Sequence, residues 1–319
     1  MQTLMIPGTD LKPSVIGLGT ALFGSALDQS ISDILLDTYF EAGGNFLDTA
    51  QVYADWLPGE RSTSEKCLGR WMADRGTRER IVLSTKGAHP RLESPSIARL
   101  ARTDIRFDLE ASLKNLRTDR IDLYWLHRDD PTRPVAEILE TLNERVKAGQ
   151  IRYFGCSNWS LPRIQAAQNL AWETGLQGFS ANQLFWSLAA VDPTGMPNPT
   201  WRIMDSDTWS YHRDQNLCAV AYSSQANGLF QKMAAGQPLS PDFLRRHPLA
   251  DNQRRLTRIQ ALCAETGWTL TQVILGYLMS QPFPGLPLIG PRSLAQLKDC
   301  LPAQSVRLTP AQCQALMGR

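Results

Sequence analysis

An acid, a tyrosine, a lysine and a histidine stand at or just beyond the ends of three strand-like apolar runs. Asp48 lies within Asn45-Phe46-Leu47-Asp48-Thr49-Ala50, Tyr53 follows five residues later, Lys86 closes Ile81-Val82-Leu83-Ser84-Thr85-Lys86, and His127 closes Ile121-Asp122-Leu123-Tyr124-Trp125-Leu126-His127. Such a set can deliver a proton to an oxygen that gains charge as hydride reaches the adjoining carbon. Tyrosine alone is a poor acid near neutrality, with an ordinary pKa of about 10. A lysine ammonium within hydrogen-bonding distance favours the phenolate and lowers that value, and an aspartate paired with the lysine keeps it charged. A histidine that is neutral in a dry pocket donates a hydrogen bond to the same oxygen and orients it. Reduction of a carbonyl uses all four, so Tyr53, Lys86, Asp48 and His127 are the expected catalytic group. Each alone has a plainer role as a cap, a solvated charge, a core imidazole or a surface aromatic; their joint placement carries the expectation.

These residues need elements that bring three successive strand ends together. Short apolar runs rich in β-branched and aromatic residues recur at 15–19, 45–50, 81–86, 121–127, 151–158, 179–186, 217–224 and 286–290, with helical spacing between or after them, as at 31–42, 135–147 and 293–301. Alternation of this kind predicts a parallel sheet with crossover helices. Eight units in 319 residues fit a single-domain (β/α)8 TIM barrel over residues 1–319, whose strand ends converge on one mouth. A doubly wound sheet is the other topology open to the pattern. Gly17-Leu18-Gly19-Thr20-Ala21-Leu22 lacks the third glycine of the Gly-x-Gly-x-x-Gly fingerprint that such a sheet uses for dinucleotides. Glycines follow the periodic stretches at Gly43-Gly44, Gly149 and Gly175, where helices should end. Two segments fall outside the repeat: residues 4–15, expected as a small hairpin on the barrel floor, and a Pro- and Trp-bearing loop from 188 to about 211, expected as a cover for the mouth.

The balance of 33 Lys and Arg against 31 Asp and Glu gives a net charge of +2, too small a field to draw nucleic acid or an anionic membrane. Small molecules are the expected partners. The opening residues lack a basic segment followed by a sustained apolar run, and no stretch holds 18 apolar residues in a row, so a cytoplasmic location without membrane insertion is expected. Six scattered cysteines with no Cys-x-x-Cys read as reduced thiols. A metal-dependent enzyme using His127 with Asp48 and Glu65 is a rival reading, but the histidines at 89, 127, 212 and 247 form no paired ligand motif, and no metal is expected.

Further motifs extend the pattern along the chain: Gly17-Leu18-Gly19-Thr20, Ser84-Thr85-Lys86, Gly155-Cys156-Ser157-Asn158, Asn182-Gln183 and Ala221-Tyr222-Ser223. In their order and approximate spacing, together with the strand ends above, the sequence resembles the aldo-keto reductase superfamily over essentially its whole length. The resemblance implies reduction of aldehydes or ketones, sugar-type ones among them, with NADP as cofactor. It implies that Ser157, Asn158 and Gln183 hold the nicotinamide carboxamide, with Tyr222 stacked on the ring, near Gly19, Thr20 and Asp48. The stretch from Tyr222 through Ser223, Ser224 and Gln225 to Gly228 is similar to the family's pyrophosphate loop, and Gly290, Arg292, Gln296 and Asp299 to its site for the adenosine end. Arg292 at a helix start suits a ribose 2′-phosphate through charge-assisted bonds, which favours NADPH over NADH. The chain departs from the family at Ala21, at Ser224 and Gln225 in place of Pro and Leu, and at Cys300 in place of Asn. Trp56, Trp125 and Trp209 are expected to line the substrate. The resemblance also allows a cofactor-binding sensing or regulatory module with slow turnover, as in the family's potassium-channel β subunits. Oligomeric state is left open by the sequence.

Overall fold

The computed structural model describes residues 1–318. Its eight strands are β1 (Gly17–Gly19), β2 (Phe46–Asp48), β3 (Val82–Gly87), β4 (Ile121–Leu126), β5 (Ile151–Ser157), β6 (Ala181–Phe185), β7 (Cys218–Tyr222) and β8 (Gly285–Ile289). Each pairs in parallel with its neighbours in chain order, and β8 returns to β1 to close a barrel. Helices α1 (Gln29–Glu41), α2 (Thr63–Arg75), α3 (Arg102–Leu116), α4 (Val135–Lys147), α5 (Leu161–Thr174) and α6 (Ser206–Gln215) fill the crossovers as far as β7. Four more, α7 (Leu229–Ala234), α8 (Pro241–Arg246), α9 (Leu249–Thr266) and α10 (Leu270–Met279), separate β7 from β8, and α11 (Leu294–Cys300) and α12 (Pro310–Met317) follow it.

The strands are buried on both faces because helices cover the outside and side chains fill the inside. Alternation then decides what each face carries. Phe46, Val82, Leu123, Trp125, Ala181, Cys218, Val220, Leu286 and Leu288 pack together in the barrel interior, while Leu47, Leu83, Tyr124 and Leu126 pack outward against helices. Two or four residues further along the same inward faces come Asp48, Lys86, His127, Gln183 and Tyr222. Period two, applied to apolar residues below and polar residues above, thus places the polar set in the top layer. Gly155 makes room for the widest interior side chain: a Cβ there would stand 2.4 Å from Cζ3 of Trp125. At the opposite side of the ring, a Cβ on Gly17 would stand 2.6 Å from both Leu288 and Phe46.

The floor hairpin forms as expected from the sequence, with Leu4 N–H donating to Pro13 O (3.0 Å) and Ile6 N–H to Leu11 O (3.1 Å). Ile6 and Leu11 insert into the interior cluster from below. The covering loop is shorter than the sequence suggests. Asp205 accepts from Thr208 N–H at 2.8 Å and caps α6, so Trp209, expected in the loop, is helical. No helix among the described residues is long and apolar enough to cross a membrane.

Candidate active site

Asp48, on the last position of β2, and Lys86, near the end of β3, meet across the mouth with Lys86 Nζ 2.5 Å from Asp48 Oδ2. The pair is almost wholly buried, and each end is further satisfied. Lys86 also donates to Thr49 O (2.7 Å), while Asp48 Oδ1 accepts from Ser84 Oγ (2.7 Å) and Gln183 Nε2 (2.9 Å). A buried ion pair survives only with such complete partnering. The Lys86 ammonium stands 4.7 Å from the centroid of the Tyr53 ring, which itself meets the His127 ring edge-on at 5.9 Å. All four residues expected as the catalytic group are therefore in one layer.

Burial is the largest influence on Lys86, Tyr53 and His127. It would pull Lys86 down, but Asp48 and then Tyr53 outweigh it and hold the ammonium above its ordinary range. For Tyr53 burial raises the phenol, and Lys86 pulls against that rise without cancelling it. The expectation of a lowered tyrosine is thus corrected in sign: Lys86 offsets desolvation, leaving the phenol protonated and ready to donate. Burial, then the charge of Arg128, holds His127 well below the usual imidazole range, so the ring is neutral. Its Nδ1 is buried without a partner. The ring of His89 lies 4.7 Å from it, with Nδ1 2.6 Å from Pro90 O.

Burial pushes His89 and His212 down to about 4, from an ordinary value of 6.5. Below pH 6.5 the unfolded chain gains protons that the folded chain refuses until about 4, so stability present above 6.5 is lost as the pH falls through that window. The melting temperature should decline steadily from pH 6.5 towards 4. A flat thermal-melt series across that range contradicts the neutral, buried state of these rings.

A groove of about 720 Å³ leads away from the mouth, walled by Gly19, Thr20, Asp48 and Tyr53 at one end and by Gly290, Arg292, Gln296, Asp299 and Cys300 at the other. Tyr222, Ser223, Gln225 and Gly228 line its length. Ser157, Asn158 and Gln183 are buried at the mouth end: Asn158 Oδ1 accepts from Tyr222 Oη (2.6 Å), and Asn158 Nδ2 donates to Ser157 Oγ (3.0 Å). Left-handed backbone at Ser223, Ala226, Asn227 and Gly228 (φ 54°, 46°, 53° and 76°) folds the middle wall into a tight turn of the kind that presents N–H groups to anions. Ser224 donates to Leu288 O at 2.6 Å and fastens that turn to β8. Two of the unusual residues touch: Gln225 Nε2 lies 3.3 Å from Cys300 Sγ, and Gln231 joins Gln225 (3.1 Å) to Thr271 (3.1 Å), whose hydroxyl reaches Asp299 (2.6 Å). The Arg292 side chain is exposed and makes no ion pair among the described residues. The shape and donor set fit an extended dinucleotide with its anionic centre at the turn and a charged group beside Arg292.

The three tryptophans part company. Trp56 is half-exposed and edge-on to Tyr53 at 6.1 Å, beside the mouth. Trp125 is fully buried in the interior layer beneath the site, and Trp209 packs outside the barrel, donating to Gln281 (2.9 Å) and meeting Phe283. Neither is brought to the groove. A different residue of the covering loop is: Trp201 stacks on Phe185 (6.2 Å) and meets Tyr222 edge-on (6.1 Å), while Arg202 N–H donates to Asn158 Oδ1 (3.1 Å). Sequence reasoning also passed over Arg128, buried next to His127, and His89. No group of three or more metal-ligating side chains occurs among the described residues.

The chain has relatives among known proteins. The Aldo/keto reductase family model matches residues 15–318. An uncharacterized oxidoreductase, YrpG, of Bacillus subtilis is 31% identical, over 97% of this chain and 92% of that protein. Norsolorinic acid reductase A of Aspergillus parasiticus is 26% identical, over 98% of this chain and 79% of its own length. An aryl-alcohol dehydrogenase [NADP(+)] of Phanerodontia chrysosporium is 28% identical, over 98% and 84%. A solved thermostable aldo-keto reductase, Tm1743, in complex with the inhibitor epalrestat superposes with a TM-score of 0.73 at 22% identity, covering 100% of this chain and 99% of its own, and shares the fold.

Proposed function

The chain belongs to the aldo/keto reductase family, and on that premise we propose that it reduces the carbonyl of aromatic aldehydes or ketones with NADPH. The observation that carries this reading is the meeting of Tyr53, Lys86, Asp48 and His127 at the head of a groove that ends at an unpaired Arg292. NADPH would be held along the groove by Tyr222, Ser223, Gln225 and Gly228, with Arg292 at its far end, and would supply the hydride for the carbonyl carbon.

The protein supplies everything else. Tyr53 donates its hydroxyl proton to the carbonyl oxygen, and the Lys86 ammonium stabilises the phenolate left behind. Asp48 holds that ammonium in place and charged. Neutral His127 donates a hydrogen bond to the oxygen and fixes its direction. Proton transfer of this kind contributes about 10² to 10⁴ in rate. The apolar interior layer beneath keeps water from the Lys86 and Asp48 side chains, which strengthens their contact. The aromatic side chains Tyr53, Trp56, Trp201 and Tyr222 around the mouth suit flat apolar substrates, in keeping with relatives named for norsolorinic acid and aryl alcohols. The test is loss of NADPH absorbance with a panel of benzaldehydes, and its gain with the corresponding alcohols and NADP⁺. Tight NADPH binding without turnover in a single-turnover mix contradicts the reading.

The cofactor's phosphate is checked separately. Arg292→Ala should raise the NADPH dissociation constant about 10- to 100-fold, the range of a lost charge-assisted bond, and that for NADH by less than about threefold. Calorimetric titration with both nucleotides measures it, and equal effects would put the phosphate elsewhere.

A further inference from the structure

One cation at the mouth makes no contact that the chemistry above uses. Arg128 follows His127 directly and is only 9% exposed. Among the described residues it makes no ion pair, and its one hydrogen bond runs from Nη1 to the His127 carbonyl at 2.7 Å. The acids next to it in the chain are committed elsewhere: Asp129 to Arg163 (3.0 Å), and Asp130 to the Thr132 hydroxyl (2.6 Å) with Arg133 at 3.9 Å. Asp48, the acid of the site, is filled by Lys86, Ser84 and Gln183. The His127 carbonyl that Arg128 holds also lies 3.5 Å from Asn158 Nδ2, and the His127 ring meets Tyr53 edge-on at 5.9 Å, so the guanidinium stands in the layer where a carbonyl must lie.

A guanidinium stripped of water without a counter-charge is costly to the fold. That desolvation is already met when the chain folds, so an anion arriving at the mouth gains the attraction without imposing it again. The planar fork of arginine matches a carboxylate in particular, through two parallel charge-assisted bonds. A neutral substrate offers it no such partner.

We propose that Arg128 is a specificity-determining residue that selects carbonyl compounds bearing a carboxylate, an aromatic aldehyde acid being the simplest case. This rests on the reductase reading above. Two aldehydes of the same planar shape, 4-carboxybenzaldehyde and 4-nitrobenzaldehyde, differ by one charge and separate the two ideas. The readout is the ratio of their kcat/KM values. Arg128→Gln should lower the carboxylate-to-nitro ratio about 100-fold, carried by KM of the carboxylate, as for truncation of one partner of a buried charge pair. Arg128→Lys, which keeps the charge and loses the fork, should lower it about tenfold. NADPH binding by each variant verifies that it is folded.

A ratio equal in wild type and both variants overturns the inference and leaves the reductase reading standing. So does an equal fall for both aldehydes, which would mean that Arg128 acts through His127 or Tyr53 instead of on the substrate. A wild-type protein that binds NADPH and reduces neither aldehyde overturns the reductase reading, and this inference with it.

Discussion

Tyr53→Phe abolishes reduction of an aromatic aldehyde, lowering kcat at least about 10³-fold, while the NADPH dissociation constant stays within about threefold. The substitution removes one oxygen and its proton and leaves the ring, which keeps its edge-on contacts with His127 and Trp56. Packing and the position of Lys86 are therefore retained. The effect should fall on kcat, because the lost proton transfer belongs to the transition state and not to ground-state binding. Stopped-flow mixing of the preformed NADPH complex with aldehyde isolates that step. Reduction at near wild-type rate by the phenylalanine variant sinks the assignment, since Tyr53 is the phenol that stands beside Lys86.

The second large effect comes from Lys86→Met, which should damage both rate and stability. Methionine fills much of the aliphatic space, but Asp48 keeps its charge with only Ser84 and Gln183 to satisfy it. Breaking one side of a buried pair costs about 3–5 kcal/mol, readable as a shift in the urea midpoint. Without the ammonium, burial and the Asp48 charge both raise Tyr53 against the weaker pull of Arg128, and the phenolate is harder to form, so kcat should fall at least about 10³-fold as well. The double variant Lys86→Met with Asp48→Asn separates the two losses: it should recover most of the stability and none of the rate. Recovery of rate in the double variant would mean that Lys86 serves only to neutralise Asp48.

The top layer was legible because it follows a rule that sequence displays openly. Apolar residues alternate inward along each strand, and the polar residue that ends the run continues the same parity to the mouth; Phe46 then Asp48, and Val82 then Lys86, are examples. The hairpin was legible for a similar reason, as a short segment outside the repeat. Arg128 was not. In Arg128-Asp129-Asp130 the charges look self-neutralising, and only the fold shows that Arg163 and Arg133 take the two acids away. Trp201 and Trp209 sit eight residues apart in a stretch without periodicity, and the cap at Asp205 that sends one into a helix and leaves the other over Tyr222 reads equally well as loop. Trp125 has the inward parity of a site residue but lies one layer too low, a depth that alternation does not encode. The pairing of Gln225 with Cys300 joins β7's loop to α11 across 75 residues, so each appeared as an isolated departure.

The closure of the ring bears on how the protein is made. Gly17 pairs with Leu288, so the first strand waits for the last. At ribosomal speeds of about 5–20 residues per second, the flank of β1 stays unpaired for on the order of ten to fifty seconds while the rest of the chain emerges. An open strand edge exposed for so long invites pairing with other nascent chains. This one offers little to copy: β1 is three residues, Gly-Leu-Gly, and the glycine that lets Phe46 and Leu288 close in at the end also makes the waiting edge a poor template. The seam of the barrel is thus also its safeguard during synthesis.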